Sequence, residues 1–352
     1  MSREIIIGDI HGCYDEMLEL LDIIKPASED QIIAVGDIVD RGPKSVELYH
    51  YFKNTPNARI IMGNHERKHL RGIMSYSQEI VRLQFGDLYP EFVAWLENIA
   101  YYYESEHAIV VHAGLEDGVP LEQQRENVLS GTMGGSKYLA RLYQGRYWSE
   151  VYSGEKPVIY GHHVVGPTPE ILNGKIYGID TGACHGGRLT ALVLPGFEVH
   201  QVQVKKDYWS EQMSIWQLPV LKHKDWDNFR FSEIRQEIQK LKKKHRHVRQ
   251  FAEALEVWLE QFEELTMSIE TTIQEQTQSL IRESGSTFKE AVSQLPQRNL
   301  LHLAYHERLT TEEIANRYKT PASLRKLGEM LEMDTDEIPG QFQYDEQVRT
   351  TG

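Results

Sequence analysis

The first two hundred residues alternate short apolar runs with polar, glycine-bearing turns. Residues 4–7 form an isoleucine-rich run that stops at Gly8-Asp9-Ile10-His11-Gly12, the pattern of a buried strand. Asp15–Ile24 spaces its apolar residues helically and ends at Lys25-Pro26. A second strand, 32–35, leads into Gly36-Asp37-Ile38-Val39-Asp40-Arg41-Gly42. Pro43 then opens a helix running to about Lys53, and a third strand, 58–62, stops at Gly63-Asn64-His65-Glu66. This order predicts a parallel or mixed sheet with right-handed crossovers. Residues 66–99 read as helix, with Trp95 and Leu96 on its apolar face. Strands at 108–111 and 158–160 end at His112-Ala113-Gly114 and Gly161-His162-His163. Between them, 116–150 reads as loop and helix, with a flexible glycine-rich piece at 131–135. Three closely spaced runs, 175–179, 189–194 and 198–204, leave no room for helices and are expected to be antiparallel. The expected architecture is two sheets, or one mixed sheet, flanked by helices.

The pattern changes after about residue 205. From Val220 to Ser284 there is neither Gly nor Pro. Ile234, Ile238, Leu241, Val248, Ala252, Leu255, Leu259, Phe262, Ile269, Ile273 and Leu280, with the polar His245, Thr266 and Gln276 among them, step by four and three residues in turn. That is a heptad seam. A single helix of this length would run roughly 70 Å at 1.5 Å per residue; a hairpin broken at a polar seam position is the alternative. Such a seam serves either a homodimer or packing against its own chain. Gly285 and Pro296 then punctuate short helices at about 286–295, 298–307 and 311–318, with one more after Pro321. The expected organisation is a catalytic domain over 1–204, a linker over 205–228, the seam over 229–284, and a small helical region with a flexible C-terminal tail over 285–352.

Composition narrows this picture. The chain is 40% hydrophobic and 26% charged, the balance of a globular protein. No apolar run approaches a membrane span, and Met1 leads straight into a strand, so neither a membrane anchor nor a signal peptide is expected. Cys13 and Cys184 do not make a disulfide framework, which points to the cytoplasm. Residues 1–200 carry 17 basic against 27 acidic side chains and the remainder 21 against 25, so neither part has the basic surplus of a strong nucleic-acid binder.

Candidate chemistry collects at the strand ends: Asp9 and His11, then Asp37, Asn64, His112 and His162. Each group follows an apolar run and sits beside glycine, where open α/β sheets place ligands. Carboxylate, imidazole and amide oxygen together suit divalent metals. A carboxylate such as Asp37 can bridge two ions, and such pairs clamp the oxygens of an in-line phosphoryl displacement. His65 is the natural general acid, Asp40 its orienting partner, and Arg41 a bidentate grip on phosphate oxygens.

These five motifs, complete and in order, resemble the PPP family of metallophosphoesterases, over about residues 3–204. The resemblance implies an α/β (α+β) class: a calcineurin-like β-sandwich flanked by helices, here followed by an all-α, coiled-coil-like module. It implies one metal held by Asp9, His11 and Asp37, and a second by Asp37, Asn64, His112 and His162. The ions are expected to be Mn²⁺, with Fe²⁺, Zn²⁺, Ni²⁺ or Co²⁺ as alternatives. His65 is implied as proton donor paired with Asp40, and Asn64 reaches the substrate phosphate together with Arg41. The stretch Asp180–Leu192 resembles the bacterial branch, including PrpE-type phosphoesterases and the phosphatase domain of polynucleotide kinase-phosphatase. Two features depart from the pattern. His163-Val164-Val165 stands where Thr and Pro often follow the last ligand. A second phosphate-binding arginine is missing from its usual neighbourhood, leaving Arg146 as first candidate, with Arg125 and Arg141 behind it.

The resulting expectation is a phosphatase, nominally serine/threonine-phosphatase-like, that hydrolyses phosphomonoesters by direct attack of metal-bound hydroxide. Hydrolysis of RNA 2′,3′-cyclic or 3′-phosphate ends, of nucleotides, or of dinucleoside polyphosphates stays open, as does a non-enzymatic scaffold acting through the coiled coil. His65-Glu66-Arg67-Lys68-His69 matches a zinc-protease pattern, but it follows a strand end rather than lying within a long helix, and His69 reads as a solvated helix residue. The run Lys242–Arg246 reads as a solvated helix face, and Leu309–Arg325 as small-bundle helices rather than a helix-turn-helix.

Overall fold

The alternation of side chains along each strand separates two cores in the computed structural model, which describes residues 2–345. One sheet has the order β10 (Glu198–Gln203), β9 (Arg188–Leu194), β1 (Glu4–Ile7), β2 (Gln31–Ala34), β3 (Ala58–Ile60). The other has the order β4 (Tyr102–Glu104), β5 (Ile109–Val111), β6 (Val158–Tyr160), β8 (Ile176–Gly178), β7 (Glu170–Leu172). Successive residues of a strand point to opposite faces. Ile6, Ile33, Val110, Ile159 and Leu192 therefore meet in a layer between the two sheets, while Ile5, Ile7, Ile32 and Ala34 face helices on the outside. The outer face of the second sheet is covered through Val111, Leu129, Trp148, Val158 and Tyr160. This is a β-sandwich flanked by helices.

Strands β1, β2 and β3 are mutually parallel, as are β5, β6 and β8. Parallel pairing brings all the motif-bearing strand ends of each sheet to one edge. The crossover helices are α1 (Tyr14–Ile24) and α2 (Ser45–Asn54). Residues 66–99 are not one helix but three: α3 (Asn64–Leu70), α4 (Tyr76–Phe85) and α5 (Tyr89–Leu96). Gly72 and Gly86 adopt positive φ at the breaks. Leu96 is buried as expected and Trp95 half-buried. The helices α6 (Glu126–Leu129), α7 (Met133–Leu142) and α8 (Trp148–Val151) follow β5. The glycine-rich 131–135 is the capped start of α7 rather than a loop: Thr132 Oγ1 accepts the Gly135 N–H at 3.2 Å.

Only two of the three late strands form the expected antiparallel hairpin, β9 with β10. Residues 175–179 instead supply β8 of the other sheet, because the turn over 180–187 is long enough to carry the chain across the sandwich. β4 and β7 are short and partly exposed, and carry too little apolar pattern to stand out in sequence.

The chain divides into two compact units, Met1–Trp216 and Gln217–Gly352. The division falls inside α9 (Tyr208–Lys222), so much of the stretch expected as a linker is helical. In the second unit the seam is a hairpin of α10 (Phe231–Leu241) and α11 (Arg246–Ser284), broken at 242–245 beside the polar seam position His245. Ile234, Ile238, Leu255, Leu259, Ile269 and Ile273 are buried within the same chain, together with residues of α12 (Phe288–Ala291), α13 (Arg298–Tyr305), α14 (Thr311–Arg317) and α15 (Pro321–Met330). The last two helices pack into this bundle through Ile314, Leu324 and Leu327. The flexible tail expected at the end of the chain lies, from residue 346 on, outside the described residues. Among the described residues no helix is long and apolar enough to cross a membrane.

Candidate active site

The strand ends meet around Asp37. His11, Asp37, Asp40, Arg41 and His162 all adopt positive φ, a conformation that costs a non-glycine residue about 1–3 kcal/mol. Their turns are held by His11 N–H to Asp37 O, Gly12 N–H to Ile38 O and Gly161 N–H to His112 O, each at 2.9 Å. Packing leaves no room for a side chain at two of the intervening glycines. A Cβ on Gly36 would come 2.8 Å from Gly63 N and 2.9 Å from His112 Nδ1, and one on Gly161 would overlap Asp9 Oδ1.

His11 Nδ1 donates to Val39 O at 2.8 Å and His112 Nδ1 to Val35 O at 2.9 Å, so each ring turns an unprotonated Nε2 toward the centre. Those Nε2 atoms lie 3.6 and 3.5 Å from Asp37 Oδ2. Asn64 Oδ1 lies 3.0 Å from His112 Nε2 and 2.8 Å from His162 Nδ1. Burial holds His11 and His112 below the usual histidine range and brings His162 down to about 4, so the rings are neutral. At His11 and His112, lone pairs thus face acceptor oxygens with no proton between them, an arrangement that suits cations. Two donor groups result among the described residues, His11–Asp37–His65 and Asp37–His112–His162, sharing Asp37. The residue set therefore fits a pair of divalent ions.

Asp9 borders the first group: its two oxygens accept the His162 backbone N–H at 3.0 and 3.1 Å and keep further lone pairs for a cation, while His65 is the third member of that group. Burial, then Asp180 and Asp37, hold the Asp9 carboxyl well above the usual carboxylate range. Arg146 is exposed on the turn ahead of α8, and its guanidinium makes no hydrogen bond or ion pair among the described residues. Arg125 is engaged elsewhere, 3.3 Å from Glu116 and over the Tyr138 ring. Arg41 is half-buried at the centre, where Nη2 donates to His65 Nε2 at 3.1 Å. His65 Nδ1 in turn donates to Asp40 Oδ2 at 2.5 Å. Asp40 is fully buried; burial opposes its ionisation, but His69 and His65 hold it far below the ordinary range.

Two residues carry structural weight that the sequence reading did not assign. Glu66 accepts four backbone N–H groups, from Asp37 (2.8 Å), Ile38 (2.9 Å), Val39 (3.4 Å) and Gly63 (3.2 Å), and so shapes the loop that presents Asp37. Its signal was its place at the third position of a helix, the capping-box acid. His69, expected in solvent, is 2% exposed and bonded to Asp40, because a helix places i and i+4 on one face and His65 fixes that face inward.

Burial pushes Asp180 up to about 6 and, with Asp37 beside it, Glu66 up to about 8, from ordinary values of 3.8 and 4.5. Raised acids bind protons on folding. Their contribution to stability is complete below about pH 4 and is lost as pH rises through those two values. With metals stripped by EDTA, the chain is expected to melt at a lower temperature at about pH 9 than at about pH 7, a window set by Glu66 and lying above the range in which the depressed His11, His112 and His162 act in the opposite sense, and Mn²⁺ is expected to narrow that gap. Calorimetry at both pH values checks this; an EDTA melting temperature that rises with pH contradicts it.

A groove of about 710 Å³ in the helical unit, lined by Phe231, Phe262 and Lys319 among others, contains none of the five motifs. The chemistry lies at the sandwich edge. A helix-flanked β-sandwich with buried or half-buried Asp, His and Asn donors at its parallel strand ends fits a metallophosphoesterase, and this chain belongs to the calcineurin-like phosphoesterase family, whose profile matches residues 3–187. It is 31% identical over 234 residues to the asymmetrical bis(5′-nucleosyl)-tetraphosphatase PrpE of Bacillus velezensis, an alignment covering 58% of this chain and 93% of that protein. The PrpE of Bacillus subtilis is 30% identical, with 58% and 95% covered. A solved metallophosphoesterase from Sphaerobacter thermophilus superposes with a TM-score of 0.40 at 18% identity, covering 61% of this chain and 95% of the other.

Proposed function

We propose that this chain hydrolyses dinucleoside polyphosphates, splitting them unequally, at a site of two divalent ions, with Mn²⁺ the first candidate. The observation that carries the reaction is the Arg41–His65–Asp40 chain set against a cleft of unprotonated acceptors. The relatives named tetraphosphatases support the substrate class. Asp9, His11, Asp37, Asn64, His112 and His162 would hold the ions, with His65 close by. When bound, the ions supply Lewis acidity and a water of lowered pKa.

The protein's own groups do the rest. Water adds to phosphorus and releases one proton to solvent, the bond to the leaving oxygen breaks, and His65 in its imidazolium form gives that oxygen a proton and then regains one from solvent. Asp40, ionised and buried, stabilises the imidazolium. Arg41 occupies His65 Nε2 in the free protein, so a substrate phosphate that draws Arg41 to itself frees Nε2 to carry the proton. Phosphomonoesters are the second reading, and the same dyad favours it, since a basic alcohol oxygen needs a proton more than a phosphate leaving group does. The two buried free thiols fit a cytoplasmic setting.

With Mn²⁺, diadenosine tetraphosphate is expected to give two unlike nucleotides, ATP and AMP. Its kcat/KM should exceed those of a phosphoserine peptide and of RNA 2′,3′-cyclic or 3′-phosphate ends by roughly tenfold or more, about 1.4 kcal/mol in transition-state binding. Chromatography of the products decides. Symmetric cleavage, or a preference for the peptide or RNA, removes the tetraphosphatase reading.

A further inference from the structure

Asp40 does more than face His65. Its Oδ2 accepts from His65 Nδ1 and from Gln78 Nε2, and its Oδ1 accepts from His69 Nε2 at 3.1 Å. Behind His69, the Tyr89 hydroxyl lies 2.9 Å from Nδ1. All of this is closed off from water: Asp40, Gln78 and His69 are at most 2% exposed, and the His69 ring packs edge-on to Tyr89 and Phe92.

For a neutral His69, one tautomer satisfies every atom. If His69 carried its proton on Nδ1, the Nε2 lone pair would point at a buried carboxylate oxygen, and both would be unsatisfied. With the proton on Nε2, His69 donates to Asp40 and its Nδ1 accepts the Tyr89 O–H. The Asp40 carboxylate thereby selects the tautomer of His69, the Tyr89 hydroxyl supports it by donating to Nδ1, and His69 occupies the Asp40 oxygen that His65 does not. A carboxylate held at one oxygen by His69 and at the other by Gln78 cannot turn about its Cβ–Cγ bond without losing a buried donor. A merely satisfied core histidine would need no carboxylate in common with the residue that faces the cleft.

We infer that His69, supported by Tyr89 and assisted by Gln78, is a positioning residue: it locks the Asp40 carboxylate so that His65 keeps its proton on Nδ1 and presents Nε2 to the leaving oxygen. This rests on the reading that His65 protonates the leaving group.

The test uses the full chain with Mn²⁺ and two monoesters, phenyl phosphate with a basic leaving oxygen and p-nitrophenyl phosphate with a weakly basic one. A misaligned acid harms the first far more than the second. His69→Ala is expected to lower kcat on phenyl phosphate by ~10- to 100-fold, a part of what general acid catalysis contributes, and on p-nitrophenyl phosphate by less than about threefold, with KM little changed on both. His69→Gln keeps a side-chain N–H for Asp40 and is expected to recover most of the loss. Tyr89→Phe should give a smaller loss of the same selectivity. Equal losses on both esters, or a Gln variant no better than Ala, overturn the inference.

If His69→Ala does not fold, the Gln and Phe variants and a spectroscopic readout still decide. In the metal-free chain with ¹⁵N-labelled histidine, His65 should show one tautomer, Nδ1–H, in the wild type and a mixture in Tyr89→Phe; an unchanged His65 signal overturns the inference. A His65→Gln variant that keeps the wild-type ratio of the two rates would instead refute the acid role of His65, and where the wild type turns over neither ester the ¹⁵N signals alone decide the lock.

Discussion

Asp37→Asn is expected to abolish metal binding and to lower turnover by at least roughly 10³-fold, since it removes the oxygen shared by both donor groups and with it the ions, which would supply Lewis acidity and a water of lowered pKa. The same change should leave the metal-free protein as stable as the wild type, or more so. Asp37 Oδ2 lies 3.6, 3.5 and 3.9 Å from the Nε2 atoms of His11, His112 and His65. Two of those atoms are lone pairs with no proton to share. An amide NH₂ at that oxygen would donate to them, while the remaining oxygen still accepts the His65 backbone N–H, now at 3.0 Å from Oδ1. The distinctive outcome is thus a melting temperature that is unchanged or raised in EDTA but no longer responds to Mn²⁺. Calorimetry with and without metal, alongside metal content, reads it. A variant that melts well below the wild type in EDTA would show that the lone pairs are not opposed as described.

His65→Gln is expected to reduce kcat on phenyl phosphate by ~10²- to 10⁴-fold, the range of general acid–base catalysis. Its metal content separates two roles that the geometry leaves side by side. As proton donor, His65 can be lost with both ions retained, and the loss shrinks for p-nitrophenyl phosphate. As ligand in the group His11–Asp37–His65, its loss would take an ion with it and slow both esters alike. The Asp40–His65 bond and the Arg41 contact on Nε2 favour the donor role. Metal analysis together with the two rates settles the matter, and loss of an ion with equal slowing on both esters would overturn the donor assignment.

Much of this was legible along the chain because each motif is local. Gly36–Gly42 follows a short, β-branched run that suits a buried strand, and the residues whose spacing and type suit metal and phosphate lie within a few positions of such ends. Long-range pairing was less legible. Residues 175–179 look like a hairpin partner by proximity, yet they cross to the other sheet as β8. The seam told of a long helical packing surface but not its occupant, which is the chain's own short helices, supplied by residues up to about 330.

The sequence alone determined the class of fold and gathered residue types suited to metal and phosphate at the strand ends, because strand periodicity and turn glycines are properties of neighbouring residues. Only the tertiary structure decided their partners. It set both Asp9 oxygens against the His162 backbone N–H, and left Arg146 exposed. It drew His69 inward to Asp40 and folded Glu66 under the Asp37 loop. The physical reason is common to all four. Which oxygen meets which proton depends on the approach of segments tens of residues apart, and burial then makes each such choice costly to change.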